Sequence, residues 1–342
     1  MRSITVDPLH PDAEALQEAA AILREGGTVA FPTETVYGLG ADAGNPEALQ
    51  KVFEAKGRPP DNPLIVHVAA LQDVRRIVAE FPDKAKRLAE RFWPGPLTLV
   101  LPKTPAVAQE ATCNLPTVGV RIPQHPVALA LLKAADIPVA APSANLSGKP
   151  SPTTAEAVRE DLAGRIDLLV DGGPAMIGLE STVLDMTSEP PTLLRPGGVT
   201  REAIEQTIGP IAVAGETAEK PASPGMKYTH YAPRATVTVV SGAAETVHKV
   251  MLQRVQELRA QKRSVGVLCS EESRHLFPGR ETVSFGTRSD LNAVARGLFS
   301  ALRYFDQLPV EIILAEGVPE TGVGHAIMNR LRKAAGGREE KV

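Results

Sequence analysis

Residues 56–68 read KGRPPDNPLIVHV, and the passage from polar turn to apolar strand inside them governs how the first part of the chain is read. Pro59 and Pro60 fix φ and bias the residues before them toward extended geometry, so Lys56 and Arg58 are expected to project from a stiff loop. Leu64 to Val68 then reads as a short, largely buried strand. Alternation puts His67 on the face of Ile65, opposite Leu64 and Val66. Taken alone, the loop reads equally as a solvated Pro-rich turn, and one strand histidine as a structural residue. The stretch gains chemical meaning only where other polar groups converge on it.

Short Pro-bounded strands of the same kind recur at TVAFPT, PLTLVLP, VGVRIP, PVAAPS, LLVDGG, STVLDM and TLLRPGG. Helical patterns at DAEALQEAAAILREGG, NPEALQKVFEAK, LQDVRRIVAEF, PDKAKRLAERF, PVALALLKAA and TTAEAVREDLAG separate them. Asn45 is the expected N-cap of the second of these, with Pro46 in its first turn. The alternation lacks a doubly wound rhythm, so residues 1–208 are predicted to form a twisted, mixed-sheet α+β domain. Residues 209–235 have no periodicity and read as a linker. From 236 to 342, strands and helices alternate regularly, which predicts a small Rossmann-like α/β domain with a largely parallel sheet, although no GxGxxG fingerprint is present.

A chain of 342 residues, 43% hydrophobic and 23% charged, suits two globular domains. Its formal net charge of -3 supplies no bulk field for nucleic acid, although a local basic cleft stays open. Cys113 and Cys269 lie far apart without CxxC spacing, which argues against a disulfide framework or thiolate zinc site and fits a reducing compartment. No apolar run approaches membrane-spanning length and no signal-like segment opens the chain, so no membrane partner and a cytoplasmic location are expected.

Six polar loops at strand ends carry the candidate chemistry. In PTETVYGLG, Thr33 and Thr35 flank Glu34; KGRPPDNP offers Lys56, Arg58 and Asn62. In TVGVRIP, Arg121 interrupts an apolar strand and needs a carboxylate or phosphate partner if buried. APSANLSGKPSPTT holds Ser143, Asn145, Ser147, Lys149 and Ser151, GLESTVLDM presents Ser181 and Thr182, and LLRPGG ends on Arg195. Each reads alone as an ordinary turn or surface loop. Together they supply cations and donors without a dominant nucleophile. P-loop, HExxH, GxSxG and kinase signatures are all absent, which leaves catalysis by positioning and charge stabilisation, as nucleotidyl transfer requires.

Collectively PTETVYGLG, KGRPPDNPLIVHV, WPGPLTLVL, VGVRIP, APSANLSGKPSPT, ESTVLDM and LLRPGG resemble the YrdC-like family, and SPGMKYTHYAP followed by an added α/β domain resembles its long form. The likeness covers essentially the whole chain. It implies a nucleotidyltransferase that joins L-threonine, bicarbonate and ATP into threonylcarbamoyl-AMP, with Mg²⁺ accompanying ATP. The product would pass to partner proteins that complete threonylcarbamoyladenosine in tRNA. By resemblance, Thr35, His67, Arg121, Ala141 and Ser181 are the threonine-side contacts. Arg58, Asn62, Thr117, Ser143, Asn145, Ser151 and Arg195 are nucleotide-side contacts. The KxR pair Lys56/Arg58 is expected to face the triphosphate as the catalytic cations, and no metal ligand is assigned. Residues 223–233 carry Met226, Tyr228, His230 and Tyr231, groups costly to leave idle in a tether, and are expected to form a lid. Tyr231, with Tyr228 as the alternative, would lie near the nucleotide and Arg234 within reach of phosphate.

Overall fold

The computed structural model describes residues 1–215 and 231–342. The chain divides into two compact units, the second of which takes in the short segments Gly148–Ser151 and Ile177–Leu179 together with the C-terminal residues.

The first unit runs β1 (Arg2–Thr5), α1 (Ala13–Arg24), β2 (Val29–Phe31), β3 (Gly38–Asp42), α2 (Pro46–Lys56), β4 (Ile65–His67), α3 (Leu71–Ile77), α4 (Asp83–Phe92), β5 (Leu97–Pro102), α5 (Gln109–Thr112) and β6 (Thr117–Arg121). It continues through α6 (Pro126–Ala135), β7 (Val139–Ala140), α7 (Ala155–Leu162), β8 (Leu168–Asp171), β9 (Thr182–Asp185), β10 (Thr192–Arg195), α8 (Arg201–Ile208) and β11 (Ala212–Val213). Its strands form one mixed sheet in the order β1-β8-β2-β3-β7-β4-β6-β5-β9-β10-β11, the twisted mixed α+β sheet expected from the sequence.

The two faces of this sheet are covered differently. On one, Val66, Leu99, Val120 and Leu184 join a large core with Leu49, Val52 and Phe53 of α2, Leu88 of α4 and Ile204 of α8. On the other, α1 and α6 pack Leu16, Leu23 and Leu131 onto Phe31, Val139 and Ala141. Further along that second face, Ile65, Val100 and Val183 form a separate small cluster. Each fully buried aliphatic side chain contributes about 1.5–3 kcal/mol, so strand periodicity fixes which polar residues stand on the second face. His67 and Arg121 are among them.

Asn45 caps α2 through its side chain, as expected, and Pro46 opens the helix. Gly57 ends it in the left-handed region at φ 59, which places Lys56 in the last helical turn instead of the loop. The sequence also suggests that GLG is a turn, whereas these residues begin β3. A Cβ at Gly40 would lie 2.7 Å from Val139 and 2.8 Å from Phe31, so glycine serves close strand packing here. Thr200 caps the unanticipated α8.

The second unit contains β12 (Thr236–Ser241), α9 (Ala244–Ala260), β13 (Val265–Cys269), β14 (Thr282–Ser284), α10 (Leu291–Tyr304), β15 (Ile312–Glu316), α11 (Gly324–Ala334) and β16 (Glu339–Lys341). Its sheet order is β14-β13-β15-β12-β16, and all the pairings are parallel. At the end of β15 the fully buried Glu316 accepts hydrogen bonds from Ser270 N (2.8 Å), Ser273 Oγ (2.6 Å) and Arg288 Nη1 (2.8 Å), and His248 Nε2 lies 3.2 Å away. Desolvation pushes this carboxyl upward, but the Ser270, Ser273, His248 and Arg288 contacts outweigh it and hold the group below its ordinary range.

Candidate active site

Parallel pairing of β4 with β6 sets His67 directly beside Arg121. Both are buried, and the His67 ring meets Phe31 edge-on at 6.5 Å. Burial, and then the adjacent guanidinium, pull the His67 imidazole down to about 3, so the ring is neutral near pH 7. Its Nδ1 has no hydrogen-bond partner among the described residues.

Arg121 is held on three sides. Nε donates to Gly95 O (3.1 Å) and Nη1 to Thr35 Oγ1 (2.9 Å), while Nη2 lies 2.5 Å from Glu34 Oε1. Thr35 is steadied in turn by Thr33, whose Oγ1 is 2.8 Å away and donates to Val36 O at 2.6 Å. The anion that Arg121 requires is therefore present within the protein. The sequence placed Glu34 between two candidate threonines without giving it a role; the signal available was a carboxylate in an apolar stretch matched by an arginine in an apolar strand. His125, also unanticipated, is buried at the start of α6, and burial lowers its basicity despite the opposing field of Glu34.

Ser181 shares a hydrogen bond with Thr98 Oγ1 at 2.8 Å. Its carbonyl accepts from Arg195 Nε (3.1 Å) and Nη2 (3.0 Å), so β10 and the entrance to β9 are tied together. Ala141 donates its N–H to Ile65 O at 2.9 Å, bringing a small side chain beside β4.

Lys56 differs from the loop cation expected of it. Its side chain is buried, and Nζ donates to Ser143 O (2.6 Å) and Asn145 O (2.8 Å). Lys56 closes the helical pattern NPEALQKVFEAK, and from there it braces the 143–147 loop. That loop is further closed by Ser143 Oγ donating to Asn145 Oδ1 at 2.5 Å and Ser147 N donating to Lys56 O. Arg58 Nη2 donates to Asn62 O at 2.5 Å, folding the Pro59-Pro60 loop back on itself. Asn62 is wholly buried, yet neither atom of its amide has a hydrogen-bond partner among the described residues. Thr117 opens β6 at the sheet's other end from Arg121 along the same strand.

Three predicted nucleotide contacts fall in the second unit. Ser151 belongs to its Gly148–Ser151 segment. Tyr231, at φ 67, stacks on Phe299 at 5.1 Å, and the Arg330 guanidinium lies 5.6 Å from its ring centre. Arg234 is exposed, and its backbone N–H donates to Asp306 Oδ1 at 2.7 Å. The expected lid residues 223–230 lie outside the described residues.

The family model described as "Telomere recombination" matches residues 21–197, and that described as "Threonylcarbamoyl-AMP synthase, C-terminal domain" matches residues 199–336. A curated threonylcarbamoyl-AMP synthase from Bacillus subtilis is 53% identical over 336 residues, covering 97% of this chain and 96% of the relative. The chain belongs to the threonylcarbamoyl-AMP synthase family. The solved structure of Pyrococcus abyssi Sua5 complexed with L-threonine superposes with a TM-score of 0.96 at 47% identity, covering all of both chains. Escherichia coli YciO, at 26% identity and a TM-score of 0.53, covers 58% of this chain and 96% of its own. The long synthase form thus spans the whole sequence, and the shorter YciO spans little more than half of it.

Proposed function

We propose that this chain synthesises threonylcarbamoyl-AMP from L-threonine, bicarbonate and ATP, releasing pyrophosphate, and that it supplies the product to the proteins that form threonylcarbamoyladenosine in tRNA. The observation that carries this reading is the buried, in-register pair of neutral His67 and cationic Arg121, joined by Thr35. It offers a fork for a carboxylate beside an uncharged imidazole. Near-full-length similarity to named synthases supports the same activity.

In this reading Arg121, Thr35, His67, Ala141 and Ser181 form the amino-acid subsite. Arg58, Asn62, Thr117, Ser143, Asn145 and Arg195 form the nucleotide subsite; Ser151, Tyr231 and Arg234, residues of the second unit, keep only the nucleotide-side role that the resemblance implies. The idle amide of Asn62 suits a ligand that both donates and accepts, as a nucleotide does. Lys56 shapes that subsite by fixing the carbonyls of Ser143 and Asn145. The threonine amine takes up carbon dioxide or bicarbonate as a carbamate, and the carbamate oxygen attacks the α-phosphorus in line with the departing pyrophosphate. The chain's part is to orient the two reactants and place donors where charge develops.

Among the described residues no group of three or more His, Cys, Asp or Glu side chains could hold a metal ion. Mg²⁺ is proposed to enter with the phosphates of ATP, and no protein ligand is assigned to it. Among the described residues no helix is long and apolar enough to cross a membrane; a cytoplasmic site of action is part of the proposal.

Pyrophosphate release measured with ATP, threonine and bicarbonate omitted in turn tests the assignment: all three are required. Arg58→Ala and Arg195→Ala should raise the ATP requirement, each removing a charge-assisted contact worth about 1.5–3 kcal/mol. Arg121→Ala should raise the threonine requirement instead. Turnover without threonine, or an unchanged threonine titration in Arg121→Ala, would overturn the assignment.

A further inference from the structure

Glu34 is 1% exposed, and neither carboxylate oxygen is aligned with a hydrogen-bond donor among the described residues. Its compensation is the charge of Arg121, 2.5 Å away. A buried carboxylate ordinarily collects several donors, because desolvation costs more than one ion pair returns. Resting on the threonine reading above, we propose that Glu34 is the positioning and specificity-determining residue of the amino-acid subsite. It fixes the Arg121 fork and makes the subsite selective for a zwitterion.

Charge around the pair supports this. Both neighbouring imidazoles, His67 and His125, are buried and held toward their neutral forms by desolvation, so Glu34 and Arg121 supply one buried charge of each sign. An α-amino acid brings the matching pair, an anionic carboxylate for Arg121 and a cationic ammonium within the field of Glu34. A simple carboxylate brings only the anion, into a place where Arg121 is already neutralised. Rejection of it needs no clash, since the internal carboxylate repels the second anion unless a cation accompanies it. Geometry adds to charge: Gly95 O, Thr35 Oγ1 and Glu34 engage three separate nitrogens of Arg121, so the guanidinium plane is set before substrate arrives.

The test is calorimetric titration of the full chain, without ATP, with L-threonine and with 3-hydroxybutanoate, which is threonine lacking its amine. Wild type should prefer threonine. Glu34→Gln, equal in size and uncharged, should narrow that preference at least about tenfold, weakening threonine and strengthening the plain acid. Glu34→Asp, which keeps the charge, should retain the preference even with weaker binding. If Glu34→Gln weakens both ligands in proportion, or leaves their ratio unchanged, Glu34 is only a brace and the inference fails while the threonine reading stands. If wild type binds no threonine, the reading itself fails and takes the inference with it. Should Glu34→Gln not fold, wild type decides alone: 3-hydroxybutanoate and the cationic threoninamide must each bind more weakly than threonine, and equal binding of either overturns the proposal.

Discussion

Two buried glutamates, one in each unit, have opposite surroundings. Glu316 sits at a strand end amid the Ser270 N–H, two serine hydroxyls, Arg288 and His248. Glu34 has Arg121 as its close ion-pair partner and, among the described residues, no hydrogen-bond donor aligned with it. A fully satisfied buried carboxylate rigidifies its fold, whereas an under-satisfied one preserves an interaction for something else. The contrast separates a structural polar core in the second unit from the proposed amino-acid subsite in the first.

The largest expected effect comes from stranding one charge. Arg121→Ala should destabilise the first unit by about 3–5 kcal/mol, because Glu34 is left buried without its counterion. Adding Glu34→Leu to Arg121→Met should recover most of that loss in denaturant melts, since removing both charges abolishes the penalty. No such recovery would mean that the pair is not the source of the cost. Glu316→Gln should cost the second unit about 2 kcal/mol through weakened charge-assisted hydrogen bonds. Its threonine titration should match wild type; a shifted threonine affinity would remove the proposed division of labour.

Acid provides a finer distinction. His67 stays neutral in the fold down to about pH 3, while an unfolded histidine protonates near pH 6.5. Between those values the unfolded chain binds the extra proton, so stability falls as pH drops, by up to about 1.4 kcal/mol per pH unit. His67→Gln should flatten that slope over pH 6 to 4. The depressed Glu316 carboxyl acts later: its contribution is complete above the unfolded value of about 4.3 and is lost as pH falls through the lower folded value. A pH slope unchanged by His67→Gln would show that its burial does not govern acid sensitivity. The smallest effect belongs to Tyr231→Leu, which removes the stack on Phe299 and should cost about 1 kcal/mol in thermal melts. A much larger loss would assign the ring more than packing.

Much of this was legible in the sequence. The Pro- and Gly-bounded apolar runs became β2, β4 to β10 and the strands β12 to β15, because a buried strand has little choice but to be apolar throughout. β1 and β16 escaped because the edge strands RSIT and EEK are mostly or wholly polar. β3 was hidden by glycines that serve packing. At the site, Arg121 could be read as needing an anion, but local sequence could not name Glu34, since only strand pairing brings the PTET loop to the end of β6. The burial of Lys56 was hidden for a similar reason: Ser143 O and Asn145 O, to which it donates, lie in the 143–147 loop, beyond any local pattern.

The sheet order has a consequence for synthesis of the chain. β1, at residues 2–5, pairs with residues 168–171, and β2 must also find that same strand. At translation rates of about 5–20 residues per second, the amino terminus waits on the order of ten seconds or more for its partner to emerge. Meanwhile β4, β6 and β5, separated by shorter stretches of chain, can pair with one another. The strands that carry His67 and Arg121 can therefore assemble before the edge of the sheet closes, leaving the first residues translated among the last to be secured.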